Sequence, residues 1–77
     1  MKLSPEQRRA LAMLAGGPRG FTEALFAAHG FTRVLLQSLV EAGLVEIMPG
    51  TNIVARRAVK VARVHITEAG RQALWVA

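Results

Sequence analysis

The chain has 77 residues, with ten Lys or Arg against five Glu, and its formal net charge is +5. A chain of this length predicts a single domain over residues 1–77 that has little room for a buried catalytic pocket. The absence of cysteine excludes disulfides and thiolate metal sites. The basic charge favours a polyanionic partner, although many small basic proteins carry such a charge only for solubility.

The hydrophobic residues are spread along the sequence and form no stretch that predicts a membrane-spanning helix. No apolar run approaches the roughly 18 residues needed to cross a bilayer, and the N-terminus lacks the apolar segment of a signal peptide. We therefore expect a soluble, cytoplasmic protein with no membrane partner. The 52% hydrophobic content is high for so small a domain, which suggests a surface covered by a partner.

The first helix begins at a capping box. Ser4 is the predicted N-cap, Pro5 occupies the first helical position, and Gln7 reaches back to the cap. The helix is predicted to run to residue 15 and to stop at residues 16–18, Gly-Gly-Pro. Met13 lies away from the core stripe and is predicted to be exposed. The residues of that stripe are Gln7, Ala10, Leu11, Leu14 and Ala15.

A second, shorter helix follows over residues 23–29. Thr22 is its predicted N-cap, and Phe21 and Phe26 have the spacing of a hydrophobic staple. His29 and the following glycine close the helix.

Residues 30–43 contain a start signal, one apolar stripe and a stop signal. Thr32 is the predicted N-cap of a helix over residues 33–42, and Gly43 ends it in the left-handed conformation. The core side is predicted to carry Leu35, Leu36, Leu39 and Ala42. The open side is predicted to carry Arg33, Val34, Gln37, Ser38 and Glu41. With the preceding short helix, this pattern indicates a helix-turn-helix whose second member is the recognition helix.

After Gly43 the apolar pattern changes to that of strands. Residues 44–48 and 59–66 are rich in β-branched side chains and predict two strands. Pro49-Gly50 is a turn signal, and residues 49–60 are predicted to form a long basic loop without acidic residues. Its cations are Arg56, Arg57 and Lys60.

The C-terminal segment predicts a fourth helix over residues 68–77. Thr67 is its predicted N-cap, and Trp75 falls on its polar face. Its predicted core residues are Gly70, Ala73, Leu74 and Ala77.

Two short motifs resemble those of MarR-like winged-helix transcription regulators. Residues 39–45, LVEAGLV, resemble the L-x-x-x-G-L-[IV] end of their recognition helices. Residues 66–74, ITEAGRQAL, are similar to their L-T-x-x-G-R-x-x-L segment after the wing. The resemblance implies an α+β winged helix-turn-helix: a three-helix core, a two-stranded β-hairpin wing and a C-terminal helix. It also implies DNA binding, transcription regulation and dimerisation. The recognition helix is about one turn shorter than usual and the wing lacks the D-x-R pattern, which favours the wider winged-helix group.

The open side of the third helix and the basic loop form the predicted site for double-stranded DNA. Arg33 and Gln37 have the chemistry to contact guanine or adenine edges, and Val34 to touch a thymine methyl. Glu41 repels phosphate and restricts the contact to the N-terminal half of the helix. The alternative interpretation of the same residues is an ordinary solvated surface. The predicted DNA-contacting residues are Arg19, Thr32, Arg33, Val34, Gln37, Ser38, Arg56, Arg57 and Lys60.

A protein-interaction module of the same fold is the alternative. Met13 and Trp75 are predicted exposed apolar residues, and such side chains are enriched at interfaces, which suggests a homodimer. Trp75 has a second interpretation, as a lid folded over the edge of the core. No catalytic residues, cofactor or metal are expected: His29 and His65 have structural interpretations, and residues 16–20 lack the ending of a phosphate-binding loop.

Overall fold

The chain folds into helices packed against a small antiparallel sheet. The computed structural model describes residues 2–17 and 19–75, and within these ranges it contains four helices and three strands. The arrangement is α+β, and its layout is consistent with a winged helix. The elements are, in chain order, α1 (Pro5–Ala15), β1 (Phe21–Thr22), α2 (Glu23–Ala28), α3 (Arg33–Glu41), β2 (Val45–Val54), β3 (Arg57–Ile66) and α4 (Glu68–Trp75).

Local capping explains where the first helix begins. The Ser4 hydroxyl accepts a hydrogen bond from the Gln7 backbone N–H at 3.1 Å. The Gln7 side-chain oxygen accepts one from the Ser4 backbone N–H at 2.9 Å, which confirms the predicted capping box. The helix ends before Gly16; the predicted stop also included Pro18, which lies outside the described residues.

The next two helices start in the same way and end within a residue of the prediction. The hydroxyls of Thr22 and Thr32 each accept from a backbone N–H three residues later, at 3.1 Å. His29 is the C-cap of α2 and Ala42 the C-cap of α3, so each helix is one residue shorter than predicted. The predicted α4 core residue Ala77 lies outside the described residues.

One apolar core lies between the helices and the inner end of the hairpin. The predicted stripes of α1 and α3 supply most of it, and the rings of Phe26 and Phe31 pack with their centroids 4.9 Å apart. Burial of these groups stabilises helices that are too short to persist alone. The buried hydrophobic residues are Leu3, Ala10, Leu11, Leu14, Phe26, Leu35, Leu36, Leu39, Leu44, Val45 and Val64.

The segments after α3 and before α4 contact each other directly. Gly43 has φ +75°, the left-handed conformation that a glycine adopts without strain. The Thr67 hydroxyl donates to the Gly43 carbonyl at 2.7 Å and accepts from the Gly70 N–H at 3.0 Å. A Cβ at Gly70 would collide with the Leu44 carbonyl oxygen, so only glycine permits this approach. These bonds hold the start of α4 against the end of α3.

The predicted long basic loop is wrong, because residues 49–60 continue the two strands. β2 and β3 pair in register over ten residues, and Pro49 lies opposite Ala62 inside the ladder. The order β1-β3-β2 makes β2 an edge strand, where proline is tolerated. Hydrogen-bonded and non-hydrogen-bonded pairs alternate from the turn, which puts Pro49 in a non-hydrogen-bonded pair. Its missing N–H therefore costs no hydrogen bond of the ladder.

A two-residue turn connects β2 to β3. Ala55 and Arg56 have φ +51° and +65°, the left-handed conformation that a type I′ hairpin turn requires at both positions. Neither alanine nor arginine favours this conformation, so the sequence carries no clear signal for the turn that forms here. The turn predicted at Pro49-Gly50 is wrong, because both residues lie within β2.

In the part of the chain that the structure describes, the sheet has three strands, one more than predicted. Phe21 and Thr22 pair with Val64 and Arg63 and form the short β1. The outer part of the hairpin has no third strand beside it, and the molecule measures 43 × 22 × 20 Å because this part projects. No helix in the described ranges is long and apolar enough to cross a membrane.

Candidate nucleic-acid interface

The open side of α3 carries most of the predicted base-contacting residues. Three leucines, Leu35, Leu36 and Leu39, are buried and fix the rotation of the helix about its axis. Arg33, Val34 and Gln37 are consequently exposed, with Val34 77% exposed. The prediction that these side chains face outward is therefore confirmed.

Two hydroxyl groups predicted in the site are engaged with the backbone of α3. The Thr32 hydroxyl accepts from the Leu35 N–H at 3.1 Å. The Ser38 hydroxyl donates to the Leu35 carbonyl at 2.7 Å, and the side chain is half-buried. A serine in a helix readily bonds back to the preceding turn in this way, and the contact of Ser38 with DNA stays a prediction.

Acidic side chains lie on both flanks of this surface. The Gln37 amide nitrogen donates to a Glu41 carboxylate oxygen at 3.4 Å. Glu23, at the start of α2, lines one shallow groove together with Arg33 and Ile47. The positive charge of α3 is thus confined to its first turn, and any further cations must come from elsewhere in the fold.

The projecting hairpin, residues 49–62, supplies these cations and is called the wing below. Arg56 lies in its turn. Residues opposite each other in an antiparallel pair share a face, and faces alternate along each strand. Lys60 therefore lies on the face of β3 that carries the core residue Val64, whereas Arg57 lies on the other face. The three predicted wing cations are all exposed but do not share one surface.

Sequence reasoning missed one more ordered cation of the hairpin. The Arg63 guanidinium donates through Nη2 to the Asn52 side-chain oxygen. Its side chain lies across Gly50, where a Cβ would come within 3.0 Å of the Arg63 Cδ. Arg63 alternates with the apolar residues Ala62 and Val64 along β3, but its partner Asn52 falls in the predicted loop. Only the strand register brings the two together.

The remaining predicted phosphate contact is Arg19. It is exposed on the connector that leads from α1 into β1. Its position ahead of α2 agrees with the prediction, and its contact with DNA stays a prediction.

The two residues predicted at a dimer interface differ in exposure. Met13 is half-buried and packs against the core, so its predicted exposure is wrong; a flexible methionine fills the space beside the main stripe. Trp75 is 87% exposed, which contradicts its interpretation as a lid. Beside it runs a shallow groove lined by Ala12, Ala15, Arg71 and Leu74.

The titratable residues form no metal site in the described ranges. There, no cluster of three or more His, Asp or Glu residues has the geometry to hold a metal ion. His29 caps the end of α2, and the imidazole of His65 lies against Gly20, where a Cβ would come within 2.7 Å of it. The expectation of a non-enzymatic protein stays a prediction.

Comparisons with known proteins add no relative. The chain matches no protein-family model, and neither the curated proteins nor the solved structures contain a significant match. The resemblance to MarR-like regulators therefore depends on two short motifs alone.

Proposed function

We propose that this chain binds double-stranded DNA, with the N-terminal half of α3 in the major groove and the wing on the neighbouring backbone and minor groove. A role as a small transcription regulator follows from the resemblance to MarR-like proteins. The observation that carries the proposal is the pairing of two features: a short helix pinned by three leucines that presents Arg33 and Gln37, and a projecting ribbon without acidic residues.

The exposed residues of α3 have the chemistry of base readout. An arginine pairs with the O6 and N7 atoms of guanine, a glutamine pairs with adenine, and an apolar side chain contacts the thymine methyl. Arg33, Gln37 and Val34 supply these three groups within one turn of helix. In the free protein the Gln37 amide donates to Glu41. To recognise adenine, Gln37 has to give up this weak hydrogen bond and form hydrogen bonds with the base.

The wing cations suit a groove better than a flat surface. A ribbon in the minor groove has a phosphate backbone on each side. Arg57 and Lys60 lie on opposite faces of the wing, and Arg56 lies at its tip. Cations on both faces match phosphates on both walls, an arrangement that a loop lying on one backbone would not need.

The salt dependence of duplex binding tests the wing contact. Replacing Arg56, Arg57 and Lys60 together by Ala should flatten the plot of log affinity against log salt, since each lost phosphate contact reduces the slope by about 0.9. The matched control replaces three exposed cations outside the proposed site by Ala: Lys2 before α1, Arg9 in α1 and Arg71 in α4. It removes the same charge and should leave the slope nearly unchanged.

Two results would contradict the proposal. Equal slopes for both triple variants would show that the wing does not contact the backbone. Weak binding of the wild-type chain that does not depend on salt would remove DNA as the partner.

Self-association is the second candidate, and one observation favours it. Trp75 is 87% exposed beside a groove lined by Ala12, Ala15 and Leu74, with Arg71 as its charged member. A two-fold dimer would place the indole of each copy in the groove of the other, and a DNA-binding homodimer would satisfy both proposals. If the wild-type chain is this dimer, the Trp75→Ala variant should sediment more slowly than the wild-type chain at the same concentration. A wild-type monomer at all concentrations would exclude this dimer.

A further inference from the structure

The outer end of the wing exposes apolar side chains that the fold does not use. Ile53 is 72% exposed and Val54 56% exposed, and they lie on opposite faces next to the turn. Within residues 49–62 no side chain is buried. These groups therefore contribute little to the core, and their exposure to water is unfavourable unless a partner covers them.

Each free edge of the wing carries one residue that disfavours the addition of another strand. The alternation of hydrogen-bonded pairs turns the backbone groups of Pro49 toward the free edge of β2, where proline offers no N–H. On the free edge of β3, one of the outward positions is Lys60, a residue that typically blocks edge pairing. The inner and middle parts of the wing are thus poor sites for pairing with a strand of another chain.

The charged residues around Ile53 indicate the chemistry of the partner that would cover this side chain. The nearest charged residues along the ribbon, Arg56, Arg57 and Lys60, are all basic, and residues 49–62 contain no acidic side chain. An apolar wedge between cations is complementary to a stack of bases between two phosphate backbones. Proteins that bend DNA through the minor groove insert apolar side chains between base steps in this way.

The length of the wing fits the same interpretation. Six residues per strand project by about 20 Å, which is close to the roughly 17 Å, half of a helical turn, that separates a major groove from the adjacent minor groove. Ile53 also shares its face with Ile47, and Ile47 lines a groove with Arg33 of α3. Helix and wing tip can therefore reach neighbouring grooves on the same side of one duplex.

We propose that Ile53 is a minor-groove wedge: the wing tip enters the groove, and the isoleucine side chain inserts at a flexible base step and bends the duplex. This inference rests on the proposed DNA binding and adds a mode of action to it. Pyrimidine–purine steps such as TA are unstacked most easily, so the wedge also gives the chain a preference for such steps without hydrogen bonds to the bases.

The test uses two short GC-rich duplexes, one with a single TA step and one without, with fluorophores at both ends to report bending. A 2-aminopurine at the TA step reports unstacking. The test variant is Ile53→Thr, which keeps the β-branched shape that favours a strand but removes the apolar end. The matched control is Val59→Thr, at a 40%-exposed position on the other face of the wing.

We expect the wild-type chain and Val59→Thr to bend the TA duplex and to raise the 2-aminopurine fluorescence. Ile53→Thr should keep its salt-sensitive binding, lose the bend, and lose on the order of tenfold in affinity for the TA duplex. If thermal melting shows that Ile53→Thr unfolds, Ile53→Val replaces it and should give a bend between those of the wild-type chain and the unbent duplex.

The outcomes separate this inference from the proposal on which it rests. Tight binding with no bend, or an equal bend for Ile53→Thr and the wild-type chain, would overturn the wedge and leave DNA binding standing. No salt-sensitive binding to either duplex would overturn both. Self-association that depends on Ile53, without duplex binding, would assign the tip to a protein partner and would also overturn the wedge.

Discussion

The body of the molecule and its wing are stabilised in different ways. Among the described residues, the eleven buried hydrophobic side chains lie in the helices, at the inner end of the hairpin, and at Leu3 and Leu44 beside them, and none lies among residues 49–62. The body is thus specified by burial, whereas the wing is specified by strand pairing and a turn. Side chains of the wing contribute little to the core, so their apolar and cationic groups are available for contacts outside the fold.

The largest difference between the two regions should appear on removing an apolar side chain. Leu39 is fully buried, and Leu39→Ala should lower the free energy of unfolding by about 2–5 kcal/mol because it leaves a cavity. The partner variant in the wing, Val59→Ala, should change it by less than about 0.5 kcal/mol. Chemical denaturation measures both, and similar losses would show that the wing is part of the same packed unit.

A smaller difference is expected on adding a methyl group. Gly70→Ala would drive a Cβ into the Leu44 carbonyl and should destabilise the fold by about 1–3 kcal/mol. Gly50→Ala would meet only the flexible side chain of Arg63, at 3.0–3.3 Å, so the expected change is within about 0.5 kcal/mol. Equal changes in the denaturation midpoint would contradict the assignment of rigid packing to the body alone.

The smallest effect concerns the strained turn of the wing. Arg56 has φ +65°, so Arg56→Gly should relieve strain and raise the free energy of unfolding by about 0.5–1 kcal/mol. Arg57→Gly removes the same charge from a strand position and should lower stability by about 1 kcal/mol. Thermal melting distinguishes them, and a loss for both variants would argue against the left-handed turn.

The helices were predictable from the sequence because their signals are local. Caps such as Ser4 and Thr32 and stops such as Gly43 act within a few residues, and the buried leucines follow the helical period. The bounds of α1, α2 and α3 consequently agree with the prediction to within one residue at each end.

The sheet was less predictable because pairing depends on distant residues. Two residues, Phe21 and Thr22, carry too little pattern to indicate a strand, and only Val64 and Arg63 across the sheet make them one. In the hairpin, Pro49 suggested a turn, although an edge strand accepts a proline whose N–H would point away from the ladder.

The same distinction applies to the candidate site: its helical part was predictable from local signals, and its hairpin part was not. The outward orientation of Arg33, Val34 and Gln37 followed from helical period alone. The strand register places Arg57 and Lys60 on two faces and brings Arg63 to Asn52. This register was not predicted, because residues 49–60 were assigned to a loop.

The most direct test of the account is to map the DNA-facing surface by ¹⁵N NMR during a duplex titration. We predict that the largest shift changes come from backbone amides of the first half of α3 and of residues 49–62, while those of α1 and α4 change little. Changes centred on α1 and α4, with α3 and the wing unaffected, would contradict the central claim that helix and wing form one DNA-binding surface.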